Sequence, residues 1–178
     1  MDSEAQAPRP ALDDETLAFA QAVFQAAREG RQDAIAGWLD QGLPPNLRNR
    51  KGDTLLMLAS YHGHERLVRL LMEGGADAEI AIDRGQTPLA AAAYQGYQNL
   101  VELLLDLGAG VNGSGANGRT ALMIAAMFNR LAIIDLLLSR GAAIDARDAD
   151  GLTAERAAEI MGADEAAAKL ARLRSGPG

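Results

Sequence analysis

His62 and His64, which flank Gly63, are the residues of this sequence whose type and spacing most suggest metal chemistry. Imidazole nitrogens bind zinc, copper and iron, usually together with further histidine, cysteine or carboxylate ligands. The chain has 2 histidines and no cysteine, so a closed metal site would be short of ligands. We therefore expect neither a metal site nor a cofactor, and we interpret the pair as part of a turn.

A second candidate is the carboxylate cluster of Asp13, Asp14 and Glu15, which could serve in general acid–base catalysis. Consecutive residues do not face one another on a helix, so these groups would not converge on one reacting atom. Asp13 or Asp14 is better placed to cap a helix, because a carboxylate there accepts hydrogen bonds from free backbone N–H groups. Gly113–Gly115 is not a phosphate-binding loop, since no strand precedes it and no lysine follows it. The sequence thus predicts no enzyme.

A repeat of thirty-three residues must position any functional side chain in this chain. Glycine recurs at that period in three separate series, and each member of the first series is followed two residues later by threonine. The series are Gly52, Gly85, Gly118 and Gly151; Gly30, Gly63, Gly96 and Gly162, with Asn129 in the missing place; and Gly42, Gly75, Gly108 and Gly141. A fixed period of this length indicates a solenoid, in which each repeat packs only on its neighbours.

Each repeat is predicted to contain a turn and two helices. Gly85 suits positive φ at the turn because it has no Cβ, and Thr87 can cap the first helix. Pro88 then fits the first helical turn, where its missing N–H is no loss. Gly96 ends this inner helix, and Asn129 replaces it in the next repeat because asparagine tolerates positive φ. The second, outer helix is rich in leucine, valine and isoleucine, whose burial is expected to hold the repeats together.

The sequence resembles the ankyrin-repeat family over residues 16–170. The resemblance is carried by Gly85-x-Thr87-Pro88-Leu89, then Ala92-Ala93-x-x-Gly96, and later Leu104-Leu105-x-x-Gly108-Ala109-x-Val111-Asn112. It implies an all-α solenoid of helix-turn-helix units with β-turn or hairpin loops, and a non-catalytic role in binding other proteins. Members of this family contact partners through the hairpin tips and the concave face of the inner helices. Met57, Ala90 and Met123 stand where the family has histidine, so we expect a more apolar concave side.

The repeat divides the chain into one structured domain with two tails. We expect a disordered lead-in over 1–12 and a single domain over 13–174. The parts are a cap at 13–46, repeats at 47–79, 80–112 and 113–145, a second cap at 146–174, and a disordered tail at 175–178. In the second cap, Glu155 and Glu159 replace apolar residues, and we interpret both as solvation of an exposed end.

Two sets of side chains are the candidate partner-binding residues. At the ends of the inner helices, aligned repeats place Tyr61, Tyr94 and Met127 at one position and His62, Gln95 and Phe128 at the next. Neighbouring helices lie ~8–10 Å apart, so these side chains should form a continuous stripe. Aromatic residues and methionine are enriched in interface cores, although partial packing against the adjacent turn would explain them equally well. At the hairpin tips, the candidates are Arg50, Lys51, Asp53, Asp83, Arg84, Gln86, Asn117 and Arg119.

Composition limits the partners. The chain has 178 residues and a formal net charge of −7, which disfavours nucleic acid. No stretch approaches the ~20 apolar residues that span a bilayer, and the acidic beginning of the chain lacks a secretory pattern. We therefore expect a cytoplasmic monomer that contacts no membrane.

The sequence leaves three functions open. The first is an interaction module that binds an unidentified protein partner and acts as adaptor, stabiliser or inhibitor. The second is a small-ligand receptor or enzyme that uses the groove, which would need convergent polar groups in a deep pocket. The third is a structural protein that associates with copies of itself.

Overall fold

The computed structural model describes residues 13–175, and this part of the chain contains ten α-helices. The expected all-α repeat solenoid is therefore confirmed. The expected lead-in at 1–12 lies outside the described residues, and so do residues 176–178 of the expected tail. The last helix ends at Ser175, one residue past the predicted end of the domain at 174. The helices are α1 Asp14–Glu29, α2 Gln32–Asp40, α3 Leu55–Tyr61, α4 Glu65–Glu73, α5 Pro88–Gln95, α6 Gln98–Asp106, α7 Ala121–Met127, α8 Leu131–Ser139, α9 Ala154–Met161 and α10 Asp164–Ser175.

The helices form two rows. The odd-numbered helices pack on one another in chain order as the inner row, and the even-numbered helices form the outer row behind them. A projecting turn, here called a hairpin tip, precedes each inner helix from α3 onward. Isolated antiparallel bridges close the first and third tips, between Arg48 and Thr54 and between Ser114 and Thr120. Within residues 13–175, no helix is both long enough and apolar enough to cross a membrane.

Threonine begins four of the inner helices, as the sequence predicts. The hydroxyl of Thr54 accepts a hydrogen bond from the backbone N–H of Met57 at 3.1 Å, and Thr87, Thr120 and Thr153 make the equivalent bond at 3.3 Å. Because these donors have no partner within the helix, each bond fixes where the helix starts. Two residues before Thr87, Gly85 has the positive φ expected of it, +78°.

The core lies between the two rows. Alanines at the middle of the inner helices are fully buried, which lets these helices approach closely, and the outer helices contribute aliphatic side chains such as Leu67, Leu100 and Ile134. Each of the latter stabilises the fold by roughly 1.5–3 kcal/mol. Met57, Ala90 and Met123 are also buried. They therefore belong to the core, and they do not make the exposed concave side more apolar, as the sequence had suggested.

The C-terminal cap is tied by an ion-pair network that the sequence did not predict. Arg174 on α10 pairs with Glu155 on α9 and lies 3.1 Å from Asp145. Glu155 is therefore held against the last helix and does more than solvate an exposed end. The network links the cap to the preceding repeat.

Candidate functional site

Three rings form a continuous aromatic run across the inner row, and we call Tyr61, Tyr94 and Phe128 the aromatic stripe. The rings of Tyr61 and Tyr94 stack with centroids 6.3 Å apart and planes 16° apart. Phe128 meets Tyr94 edge to face, with centroids 4.6 Å apart. Tyr61 is 39% exposed, whereas Tyr94 and Phe128 are half-buried. Each ring therefore packs against the next and still has part of its surface open to solvent.

Histidines extend the aromatic stripe at its N-terminal side. The ring of His62 lies edge-on to Tyr61 at 5.3 Å and stacks with His64 at 6.2 Å. Partial desolvation lowers the pKa of His62, and the nearby charges of His64 and Arg28 lower it further. His64 is fixed by its Nε2, which lies 2.7 Å from the backbone oxygen of Arg28. This contact joins the N-terminal cap to the first repeat.

Met127 does not take part in the ring contacts. It lines a separate cleft of about 240 Å³ between α7 and α9, beside Met123, Ile160 and Met161, with Arg119 and Asp148 at the same opening. The side chains of Met127 and Phe128 therefore point to different parts of the surface, although the two residues are adjacent in sequence. Gln95, the remaining predicted member of the stripe, is half-buried at the end of α5.

The first hairpin tip presents free charge. The side chains of Arg50 and Lys51 are exposed and make no ion pair with any residue in 13–175. Asp53 is instead held by Asn49, whose side-chain amide donates to its carboxylate at 2.9 Å. Arg50 and Lys51 are thus available to a partner, whereas Asp53 stabilises the turn.

The later tips are linked to one another. Asn117 donates to the backbone oxygen of Arg84 at 3.0 Å, and Arg119 pairs with the almost completely buried Asp148 at 3.4 Å. Asp83 lies 3.6 Å from Arg48 of the preceding tip. Asp83, Asn117 and Arg119 therefore brace neighbouring repeats. Arg84 is exposed and Gln86 is half-buried at the second tip.

A cleft between α1 and the first hairpin tip, which we call the N-terminal cleft, was not found from the sequence. It has a volume of about 810 Å³. Helix α1 has 16 residues and α5 has 8, so the first inner helix extends past the point where the others begin. One sequence feature could have indicated this cleft: the spacing of Leu17, Gln21, Phe24 and Arg28 places all four residues on one face of α1.

Within the chain from 13 to 175, no group of three histidine, aspartate or glutamate side chains could hold a metal ion. The inner row instead presents a run of partly exposed rings near the ends of its helices, and exposed charged side chains lie on the hairpin tips that precede those helices.

Comparison with known proteins gives consistent matches. A family profile of ankyrin repeats in three copies matches residues 23–115, and a single ankyrin-repeat profile matches residues 117–149. An ankyrin repeat protein of Pseudomonas aeruginosa is 60% identical over 63 residues, which cover 35% of this chain and 37% of that protein. An ankyrin repeat-containing protein of Schizosaccharomyces pombe is 36% identical over 58 residues, which cover 33% of this chain and 28% of that protein. The aligned stretches thus span only 37% and 28% of the two curated relatives.

Proposed function

Because the chain belongs to the ankyrin-repeat family, whose members are generally protein-interaction modules, we propose that it binds a protein partner through the concave side of the inner row. Family members are typically not catalytic. In the proposed role, the protein acts by binding alone, as an adaptor, a stabiliser or an inhibitor of its partner. It works in the cytoplasm and is a monomer when the partner is absent.

The observation that carries this proposal is the aromatic stripe. Its three rings come from three consecutive repeats. Tyr94 contacts both Tyr61 and Phe128, and all three rings keep part of their surface open to solvent. Side chains already held by their neighbours lose little conformational freedom when a partner covers them. Large aromatic side chains also dominate the binding energy of many protein interfaces. The stripe therefore supplies a preorganised apolar centre.

The hairpin tips supply the edge of the same surface. Arg50, Lys51 and Arg84 are exposed, and charges at the edge of an interface steer association and select the partner more than they add affinity. The tips that carry these charges are linked to their neighbours, since Arg48 lies 3.6 Å from Asp83 and Asn117 donates to the backbone oxygen of Arg84. The proposed binding surface thus has an apolar centre and a charged edge.

The test is affinity capture of the partner with the full chain as bait. Replacing Tyr61, Tyr94 and Phe128 together by alanine should reduce capture at least tenfold, because hot-spot truncations each cost about 2 kcal/mol or more. Tyr61→Arg alone should also weaken capture, and it leaves the contact between Tyr94 and Phe128 intact. Circular dichroism verifies that each variant is folded.

Tyr97→Ala is the matched control. Tyr97 is 40% exposed, almost the same as Tyr61, but it lies beside Gly63 at the start of outer helix α6. Capture should survive this change. Undiminished capture by the folded triple variant, or equal losses for Tyr61→Ala and Tyr97→Ala, would contradict the proposed surface. Light scattering of the pure protein tests the monomer, and a dimer would favour self-association.

A further inference from the structure

We infer that the N-terminal cleft accepts an acidic segment of the partner protein that carries an apolar anchor residue. The inference rests on the proposed function, because it assigns the chemistry of the partner at one end of the same surface. Part of the lining of the cleft is apolar and consists of Leu17, Ala20 and Phe24 of α1 together with Leu47, which precedes the first hairpin tip. Leu17 and Leu47 are only partly buried, so an entering aliphatic or aromatic side chain would cover them.

The lining of this cleft is strongly unbalanced in charge. Among residues 13–175, four cations line it, namely Arg28, Arg48, Arg50 and Lys51, and no aspartate or glutamate does. The chain as a whole has 24 acidic and 17 basic residues, so a carboxylate-free cationic cleft is the opposite of its average surface. A concave surface lined by one sign of charge concentrates ligands of the other sign.

Most of this positive charge is free. Arg48 is engaged, since its guanidinium donates to the backbone oxygens of Gly52 at 3.1 Å and Ala81 at 2.9 Å. Arg50 and Lys51, together with Arg28, make no ion pair with any other residue of the described chain. These three cations can therefore pair with carboxylates of a bound segment without breaking an internal contact.

The cleft adjoins the aromatic stripe through the two histidines. The backbone oxygen of Arg28, a residue of the cleft lining, lies 2.7 Å from Nε2 of His64, and the ring of His64 stacks with that of His62, which contacts Tyr61. A segment that enters the cleft would therefore continue onto the stripe. The cleft itself favours a polypeptide over nucleic acid, because Phe24, the single aromatic residue of its lining within 13–175, is buried and offers no platform for stacking a base.

A direct binding experiment uses the full chain and a fluorescent synthetic peptide in which glutamates flank a pair of leucines. Three comparison probes replace the glutamates by lysine, replace the leucines by serine, or consist of a single-stranded oligonucleotide of equal charge. Fluorescence anisotropy should show saturable binding of the first peptide, and binding should weaken as salt screens the exposed charges. The lysine and serine peptides should bind at least tenfold more weakly.

The decisive variant combines Arg50→Glu with Lys51→Glu and should weaken binding of the acidic peptide about tenfold or more. The matched control combines Arg66→Glu with Arg69→Glu, an equal change of charge on outer helix α4, and should leave binding unchanged. If charge reversal disturbs folding, the neutral pair Arg50→Gln and Lys51→Gln gives the same test with a smaller effect.

Several results would overturn the inference. These are equal binding by the first-tip and α4 variants, binding of the serine peptide as tight as that of the leucine peptide, no binding of the acidic peptide, or tighter binding of the oligonucleotide. Partner capture separates this inference from the proposed function. Loss of capture in the stripe variant but not in the Arg50 and Lys51 variant would retain the binding surface and reject the acidic segment.

Discussion

The side-chain oxygen of Asn129 accepts a hydrogen bond of 3.0 Å from the backbone N–H of Ala166. Asn129 ends the inner helix of one repeat, and Ala166 lies in the first turn of α10, the last helix of the C-terminal cap. The same residue has φ = +54°, the single non-glycine positive φ in residues 13–175. Asn129 thus turns the chain where the other repeats use glycine, and it also caps a helix that lies 37 residues further on.

Two substitutions separate these roles of Asn129. Asn129→Gly keeps the turn but removes the capping oxygen, so we expect a loss of about 1 kcal/mol in the free energy of unfolding. Asn129→Ala removes the oxygen and also forces a Cβ into positive φ, which adds about 1–2 kcal/mol. Urea unfolding measures both. Equal stability of the two variants would show that positive φ at this position carries no cost.

Gly85→Val is expected to destabilise the central repeats strongly. Valine is strained at φ = +78°, and a Cβ at this position would lie 2.6 Å from the side chain of Asn117. That side chain cannot move away freely, because it donates to the backbone oxygen of Arg84 and accepts from the N–H of Arg119. We expect a loss of at least ~2 kcal/mol from the backbone strain and the disrupted hydrogen bonds together.

Gly151→Val is the control for this prediction. Gly151 has the same φ, +78°, and occupies the same place in its repeat, but an added Cβ there would meet nothing within 4 Å. Thermal melts should therefore show a smaller loss for Gly151→Val than for Gly85→Val. Superimposable melts of Gly85→Val and the unaltered chain would refute the account of this turn.

The thirty-three-residue period was enough to predict the helices, their threonine caps and the positive φ of Asn129, because these features depend on residues close in sequence. Contacts between repeats were harder to predict. Tyr94 contacts Phe128 rather than Met127, its partner by alignment. The reason is local: α5 continues through Gln95, whereas α7 ends at Met127, so Phe128 lies outside its helix and its ring turns toward Tyr94.

The N-terminal cleft escaped prediction for a related reason. Repeat alignment compares positions that recur, and the first part of α1 has no counterpart in the other repeats. The hydrogen bond that Ala166 donates to Asn129 also joins residues whose separation is longer than the repeat period. Side-chain direction at helix ends and at unique segments depends on the folded backbone, and periodicity does not encode it.

Ser60→Ala is expected to preserve or increase stability. The hydroxyl of Ser60 is fully buried, and it has no hydrogen-bond partner among the residues that the structure describes. A buried unpaired hydroxyl is unfavourable, and alanine already occupies the equivalent positions 93 and 126. We expect a gain of about 0.5–1.5 kcal/mol in urea unfolding.

Thr54→Ala provides the contrast to Ser60→Ala. The hydroxyl of Thr54 is also buried, but it accepts a hydrogen bond from Met57, so its loss should cost about 1 kcal/mol. Opposite signs for the two hydroxyl deletions are the expected result. A loss of stability in Ser60→Ala comparable to that in Thr54→Ala would mean that the Ser60 hydroxyl has a partner in solution.

Stability should fall as the pH decreases through the titration range of His62. Desolvation, followed by the charges of His64 and Arg28, lowers the pKa of His62 from its ordinary value of 6.5 in the folded chain. The unfolded chain therefore binds a proton more readily, so protonation favours unfolding once the pH drops below that value. The melting temperature should be highest above pH 6.5 and should decline as the pH falls below that value. His62→Gln should flatten this decline while retaining the fold. An equal decline in His62→Gln would assign the pH dependence to other groups.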